Sequence, residues 1–88
     1  MGLISQMQRA AFAVPANIAE GAGTGQTGQY QRYISIARGS VAELETHILV
    51  AQRLGMVTQQ HCQTAWDMIQ GVGKMLTSRH RALAKRST

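Results

Sequence analysis

The sequence predicts an all-α protein, built as an antiparallel helical bundle. Along three segments, apolar residues recur in alternating steps of three and four, which is the spacing of one helix face. Glycine-containing stretches separate the segments, and no pattern typical of a β-hairpin occurs. At 88 residues, the chain is expected to form one domain, residues 1–88.

The first segment precedes a glycine-rich stretch. Its apolar stripe consists of Ile4, Met7, Ala11, Val14 and Ile18. Pro15 lies within this stripe and has no amide hydrogen to donate to the carbonyl of Ala11, so a kink or restart is expected there. The stretch from Gly21 to Gly28 is expected to be a connection in which a helix cannot persist.

The second segment runs from about Gln29 to Leu54 and is apolar on more than one side. Its main stripe consists of Tyr30, Ile34, Ala37, Val41, Leu44, Ile48 and Ala51. Further apolar residues widen the face: Tyr33, Ile36, Leu49, Val50 and Leu54. Such a helix requires cover on more than one side. We therefore expect that a fourth helix or another subunit completes the cover.

The third segment has clear signals at its start. Gly55 is placed to end the second helix in the left-handed backbone conformation, and Thr58 is a suitable N-cap for the third helix. The stripe that follows consists of Cys62, Ala65, Ile69, Val72 and Leu76. The three stripes suit near-antiparallel helices that pack like a coiled coil.

A glycine in the second segment indicates a close contact. Gly39 costs about 1 kcal/mol relative to alanine inside a helix. A helix that keeps it is expected to approach another backbone, either at a helix crossing or at a subunit contact. We predict that Gly39 and Ser40 lie at this contact, and that Arg38, Glu43 and Glu45 form polar links within or between protomers.

Asn17 and Glu20 predict a buried polar network that fixes the helix register. Glu20 is expected at a helix C-terminal end, where the helix dipole disfavours an anion. A cationic partner is therefore expected, and the candidates are Arg9, Arg32 and Arg38. Asn17 is placed to satisfy backbone groups that Pro15 loosens.

Positive charge is concentrated at the C-terminal end of the sequence. The formal net charge is +5, and it falls to +1 for residues 1–78 without the four cations of residues 79–88. This basic C-terminal segment favours a polyanionic partner, unless it is a solvated, frayed helix end. The predicted nucleic-acid-binding residues are Arg79, Arg81, Lys85 and Arg86, with Arg9, Arg32 and Arg53 as secondary sites.

Few residues of the sequence support dinucleotide binding, metal binding or catalysis. The stretch from Gly23 to Gly28 has the letters of a dinucleotide-binding loop, but a predicted helix precedes it where a strand is required. Glu43 and His47 do not have the spacing of a bundle metal site. Cys62 lies on an apolar stripe, and no catalytic triad is suggested. We predict no enzyme, no cofactor and no metal.

The cellular environment follows from the same composition. A single cysteine rules out an internal disulfide framework and suits a reducing cytoplasm. No apolar run approaches the length of a membrane span, so no membrane partner is expected.

Three stretches together carry a family resemblance. They are SQMQRAAFAVPANIAEG from Ser5 to Gly21, IARGSVAELET from Ile36 to Thr46, and the pair Leu54-Gly55. These stretches resemble the four-helix bundle family of 23S rRNA intervening-sequence proteins. Related proteins include the accessory factor of diversity-generating retroelements, which partners a reverse transcriptase. The resemblance implies a pentameric ring of helical protomers with basic surface available to nucleic acid.

The sequence departs from the family pattern at its start. Family members carry an additional N-terminal helix before the Gly-Leu-x-Ser-Gln segment, whereas here Met1 immediately precedes Gly2. We therefore expect that the first family helix is absent, which agrees with the incomplete cover of the second segment. The usual arginine pair before the first Ala-Ala is here Gln8-Arg9, which removes one positive charge.

Two functional hypotheses follow. In the first, the protein is a non-enzymatic, cytoplasmic homo-oligomer, expected to be a pentamer, and a variant of this hypothesis adds binding of RNA or DNA through its basic residues. In the second, it is a protein-interaction adaptor for a polymerase-like enzyme such as a reverse transcriptase.

Overall fold

The protein consists of three α-helices, as a computed structural model of residues 2–86 shows. Helix α1 spans Leu3–Gly23, α2 spans Thr27–Arg53 and α3 spans Gln59–Arg86. No strand occurs in these residues, which confirms the predicted all-α class. The second helix begins two residues earlier than predicted.

Helix α2 lies between the other two helices. Both α1 and α3 pack against it, whereas no Cα atom of α1 lies within 8 Å of a Cα atom of α3 in the described residues. The principal extents are 47 × 24 × 13 Å. Because a helix of 28 residues is about 42 Å long, the helices follow the longest dimension. The protomer is therefore a flat layer of helices, with α2 between its two neighbours.

The core lies along the two seams of α2. It contains side chains from all three helices: Val14, Ile34, Ala37, Val41, Leu76 and Leu83, with Ile18, Tyr30, Leu44 and Ile69 packed against them. These residues come from the predicted stripes, except for Leu83. Val72 was predicted to lie on the stripe of the third helix, but it is exposed.

The connection between α1 and α2 is shorter than predicted. Helix α1 continues to Gly23 and α2 starts at Thr27, so only three residues connect them. The prediction that no helix persists from Gly21 onward is therefore wrong. Gly21 is buried, and a Cβ atom placed there would lie 2.7 Å from Cβ of Tyr33. The missing side chain allows α1 to approach α2 at this point.

Pro15 lies inside α1 without interrupting it, so the predicted restart does not occur. The amide Nδ2 of Asn17 donates to the carbonyl oxygen of Ala13 at 2.7 Å. Asn17 therefore bonds a carbonyl of its own helix other than that of Ala11, the one that Pro15 leaves without a donor, so the predicted role beside Pro15 is not observed.

Both signals predicted between α2 and α3 are confirmed. Gly55 has φ of +72°, and the amide of Met56 donates to the carbonyl of Ala51 at 2.9 Å, as in a Schellman helix end. The hydroxyl of Thr58 accepts a hydrogen bond from the amide of His61 at 3.1 Å. This bond satisfies one free amide in the first turn of α3.

Candidate nucleic-acid interface

The basic C-terminal segment is part of the folded bundle through residue 86. Helix α3 ends at Arg86, and the side chain of Leu83 is 1% exposed within the core. The alternative of a frayed helix end therefore does not describe residues 79–86. The last two residues of the segment lie outside the described residues. The four predicted cations consequently occupy fixed sides of a packed helix.

These four cations do not form one patch. With 3.6 residues per turn, Arg81 and Lys85 lie on the same side of α3, because they are four positions apart. Arg79 lies about 160° around the helix from Arg81. Arg79 and Arg86, seven positions apart, share a different side.

Arg81 and Lys85 belong to a groove between α2 and α3, which we call the α2–α3 groove. Its volume is about 770 Å³. Arg38 and Glu45 contribute from α2, and Lys74 contributes from α3. The remaining lining residues are Val41, Ile69, Gln70, Gly73, Thr77, Ser78 and Ala82.

The floor of the α2–α3 groove is set by close packing of the two helices. A Cβ atom added at Gly73 would lie 3.6 Å from Cγ1 of Val41, which is ordinary van der Waals contact. The space at Gly73 would therefore also accommodate an alanine, and longer polar side chains surround this contact.

The charged residues that line the groove are mostly cationic. The lining contains four basic residues and one acidic residue, Glu45. The Glu45 carboxylate accepts a hydrogen bond from the side-chain amide of Gln70, so one carboxylate oxygen already has a donor. The sum of formal charges favours an anion in the groove.

Lys74 was missed in the sequence-based prediction. It stands seven positions before Arg81 and eleven before Lys85, spacings that return to the same side of a helix. This periodicity could have found it from the sequence. The proximity of Arg38 could not have been found, because the register of α2 against α3 is set by packing.

The remaining predicted nucleic-acid-binding residues lie elsewhere. Arg9 is an exposed residue of α1, and Arg32 and Arg53 are exposed residues of α2. None of these three side chains lines the α2–α3 groove. The structure therefore does not gather all seven predicted residues into one site.

The predicted assembly residues are also dispersed. A Cβ atom at Gly39 would meet no atom within 4 Å in the described residues, so Gly39 is not at a helix crossing inside the protomer. Its role at a subunit contact stays a prediction. Ser40 is buried, and its hydroxyl donates to the carbonyl of Ile36 at 3.4 Å. Glu43 is exposed on α2.

Glu20 is an exposed residue inside α1, and the helix continues three residues beyond it to Gly23. Glu20 therefore lies in the last turn of α1, near the C-terminal end as predicted, but its exposure contradicts the predicted burial. Asn17 is bonded to its own helix, so the two residues do not belong to one buried network in residues 2–86.

Large apolar side chains remain uncovered on all three helices. Phe12 on α1 is 74% exposed, and Met68 and Met75 on α3 are 69% and 72% exposed. The exposed apolar residues of α2 are Ile36, Leu49 and Val50, and Leu54 directly after the helix is exposed as well. All four belong to the set that widens the predicted apolar face. Tyr33, the fifth of that set, is half-buried and lies against Gly21. The predicted incomplete cover of α2 thus holds within one protomer.

The described residues also bear on whether the protein has a reactive thiol, a metal site or a membrane span. Cys62 is buried, and its thiol lies 3.4 Å from the side-chain oxygen of Gln52. No group of three or more His, Cys, Asp or Glu residues in residues 2–86 is arranged to hold a metal ion. None of the three helices in that range is both long and apolar enough to cross a membrane.

Comparison with known proteins gives one result at the level of families. The family described as 23S rRNA-intervening sequence protein matches residues 1–78. No curated protein matches the chain.

Proposed function

Because the chain belongs to the 23S rRNA-intervening sequence protein family, we propose that it acts as a homo-oligomeric scaffold that binds nucleic acid. The proposed assembly is a pentamer of helical protomers in the cytoplasm. Binding uses the basic side chains of α3 and involves no catalysis.

Self-association is supported by the apolar side chains that one protomer leaves uncovered. Monomers rarely expose large contiguous apolar patches, and such patches mark contact sites. Here exposed apolar residues occur on both flanking helices, at Phe12, Met68 and Met75, and three more occur along α2. A second copy that buried these side chains would remove apolar surface from water at about 25 cal/mol per Å².

Nucleic-acid binding is supported by one observation above all. The last turns of α3 carry four basic residues and no acidic one, and the buried Leu83 holds these turns in the bundle. Cations on a packed helix lose less conformational freedom on binding than cations on a disordered tail. Oligomerisation would multiply a weak site through avidity.

The experiment that tests this proposal has two measurements. Light scattering or native mass spectrometry gives the assembly size, and a stable monomer would contradict the homo-oligomer. Fluorescence anisotropy with a labelled RNA across a salt series then gives the affinity. We expect the affinity to fall steeply with salt because bound cations displace counterions from phosphates.

The variant for this test replaces Arg79, Arg81, Lys85 and Arg86 by glutamine. Deletion of residues 79–88 is less suitable, since it would also remove the buried Leu83 and destabilise the fold. Loss of RNA affinity with unchanged helical content supports the proposal. Unchanged affinity and salt dependence would contradict it.

A second candidate function is the protein-interaction adaptor for a polymerase-like enzyme. The exposed Met68 and Met75 favour it, because flexible methionine side chains adapt to varied partner surfaces. Co-purification from the native host, with and without nuclease, separates the two candidates. A partner that persists after nuclease treatment supports the adaptor, and one that is lost supports nucleic-acid binding.

A further inference from the structure

We propose that the α2–α3 groove is the site where the phosphate backbone of a nucleic acid binds. This inference rests on the proposed function and names its site. It differs from the sequence-based prediction in two ways. It adds Arg38 and Lys74 to the binding residues, and it leaves Arg79 and Arg86 outside the groove.

The cations are arranged along the groove rather than at one point. With a rise of 1.5 Å per residue, Lys74 and Arg81 are about 10.5 Å apart along α3, and Arg81 and Lys85 are about 6 Å apart. Arg38 is contributed by α2, so positive side chains come from both helices. A row of this kind suits a ligand with repeated negative charges along its length.

Three side chains of the row are available for a ligand. Among residues 2–86, Arg38, Lys74 and Arg81 are all exposed and form no ion pair with a carboxylate. The single acid of the groove, Glu45, is half-buried and accepts a hydrogen bond from Gln70. The exposed cations therefore face a bound anion more directly than this carboxylate does.

Hydroxyl groups complete the lining. Thr77 and Ser78 lie between Lys74 and Arg81 in the sequence and line the same groove. Serine and threonine hydroxyls donate hydrogen bonds to phosphate and sugar oxygens. The groove thus offers both charge and neutral donors to a sugar–phosphate backbone.

The lining favours a nucleic acid over an acidic protein. Stable protein contacts depend on aromatic or large apolar anchors in the centre of the interface. The apolar residues of the groove are limited to Val41, Ile69 and Ala82 beside Gly73. The absence of an aromatic ring from the lining also predicts little base stacking, and hence little sequence preference.

The experiment uses the whole chain and a labelled 20-nucleotide RNA, as a single strand and as a duplex. Anisotropy across a salt series gives the slope of log affinity against log salt concentration. We expect Arg38→Gln and Lys74→Gln each to reduce the magnitude of this slope by about 1. We expect Arg53→Gln, outside the groove, to change it by less than half as much. The RNA that binds more tightly shows whether the groove prefers the phosphates of a single strand or those of a duplex.

A second pair of variants adds a charge without removing a cation. Ser78→Glu places an anion in the groove, and Thr64→Glu places one on α3 outside it. We expect Ser78→Glu to weaken RNA binding about tenfold or more, because like charges repel at close range. Thr64→Glu is expected to change the affinity less than twofold. Circular dichroism and light scattering check that all variants fold and assemble alike.

Three results would overturn the inference, and they are distinguishable. If wild-type protein binds no RNA even at low salt, the proposed function fails and the groove site fails with it. If wild-type protein binds but Arg53→Gln and Lys74→Gln have equal effects, the function stands and the groove does not. If poly-glutamate competes as well as RNA at equal charge, the groove does not prefer a nucleic acid to an acidic protein chain.

Discussion

Replacing Gly21 by alanine should destabilise the protein, whereas the same change at Gly71 should stabilise it. Both glycines lie within helices, so both gain helix propensity of up to about 1 kcal/mol on substitution. They differ in their surroundings. A Cβ atom at Gly21 would lie 2.7 Å from Cβ of Tyr33 and 3.0 Å from Cδ1 of Tyr30, whereas one at Gly71 would meet nothing within 4 Å in the described residues.

The contact with Tyr33 determines the size of the effect. Ordinary van der Waals contact begins at 3.4 Å, and Cβ of Tyr33 is attached directly to the backbone, so a side-chain rotation cannot relieve the clash. Helix α1 must therefore shift from α2 at this point. Overpacking of this kind costs about 1–3 kcal/mol. Because the propensity gain is common to both variants, Gly21→Ala should be less stable than Gly71→Ala by about 1–3 kcal/mol.

Thermal unfolding followed by circular dichroism measures this difference. For a domain of this size, 1 kcal/mol corresponds to about 4–8 °C, so the two midpoints should differ by at least about 4 °C. Both variants are compared at one protein concentration, because assembly raises the apparent stability. Equal midpoints, or a higher midpoint for Gly21→Ala, would refute the close approach of α1 and α2 at Gly21.

Three further variants test separate parts of the structure. Leu83→Ala should cost about 2–5 kcal/mol in urea unfolding, because this side chain is buried in the core; a cost under about 0.5 kcal/mol would indicate a frayed helix end. Thr58→Ala should cost about 1 kcal/mol by removing the cap on the amide of His61, and an unchanged urea midpoint would contradict that cap. Gly39→Leu should leave the protomer fold intact, because the space around Gly39 is open, but should weaken assembly in light scattering. If the mass of the assembly and the midpoint of thermal unfolding are both unchanged, Gly39 lies outside any subunit contact.

The helices and the α2–α3 turn could be predicted because their determinants are local. Apolar spacing along each segment located the stripes, and the Gly55 stop and the Thr58 cap act within a few residues of sequence. These features require no knowledge of which helices become neighbours. The sequence-based prediction of three helices with this turn is accordingly confirmed.

The close approach of α1 and α2 at Gly21 could not be predicted, because it depends on packing between helices. Gly39 appeared to be the glycine that requires a neighbouring backbone, but the space around it in the protomer is open. The glycine with such a neighbour is Gly21, which was assigned to a loop. Both have the same low helix propensity, so propensity alone cannot distinguish a loop from a contact.

The candidate site shows the same limit. The predicted four-cation segment appeared continuous in sequence, but the helix places Arg79 and Arg86 on one side and Arg81 and Lys85 on another. Only the second pair meets Arg38 in the α2–α3 groove. The partner from α2 depends on the register of two helices, for which the sequence has no local signal.

The two proposed activities are compatible because they use different sides of α3. Met68, Val72 and Met75 recur at steps of four and three, so they form one exposed apolar side. Val72 lies about 180° around the helix from Arg81, which lines the groove. A protein subunit that covered the apolar side would leave the cations of the groove open to solvent. Assembly would then bring several α2–α3 grooves into one particle, which is the arrangement that avidity for a long polyanion requires.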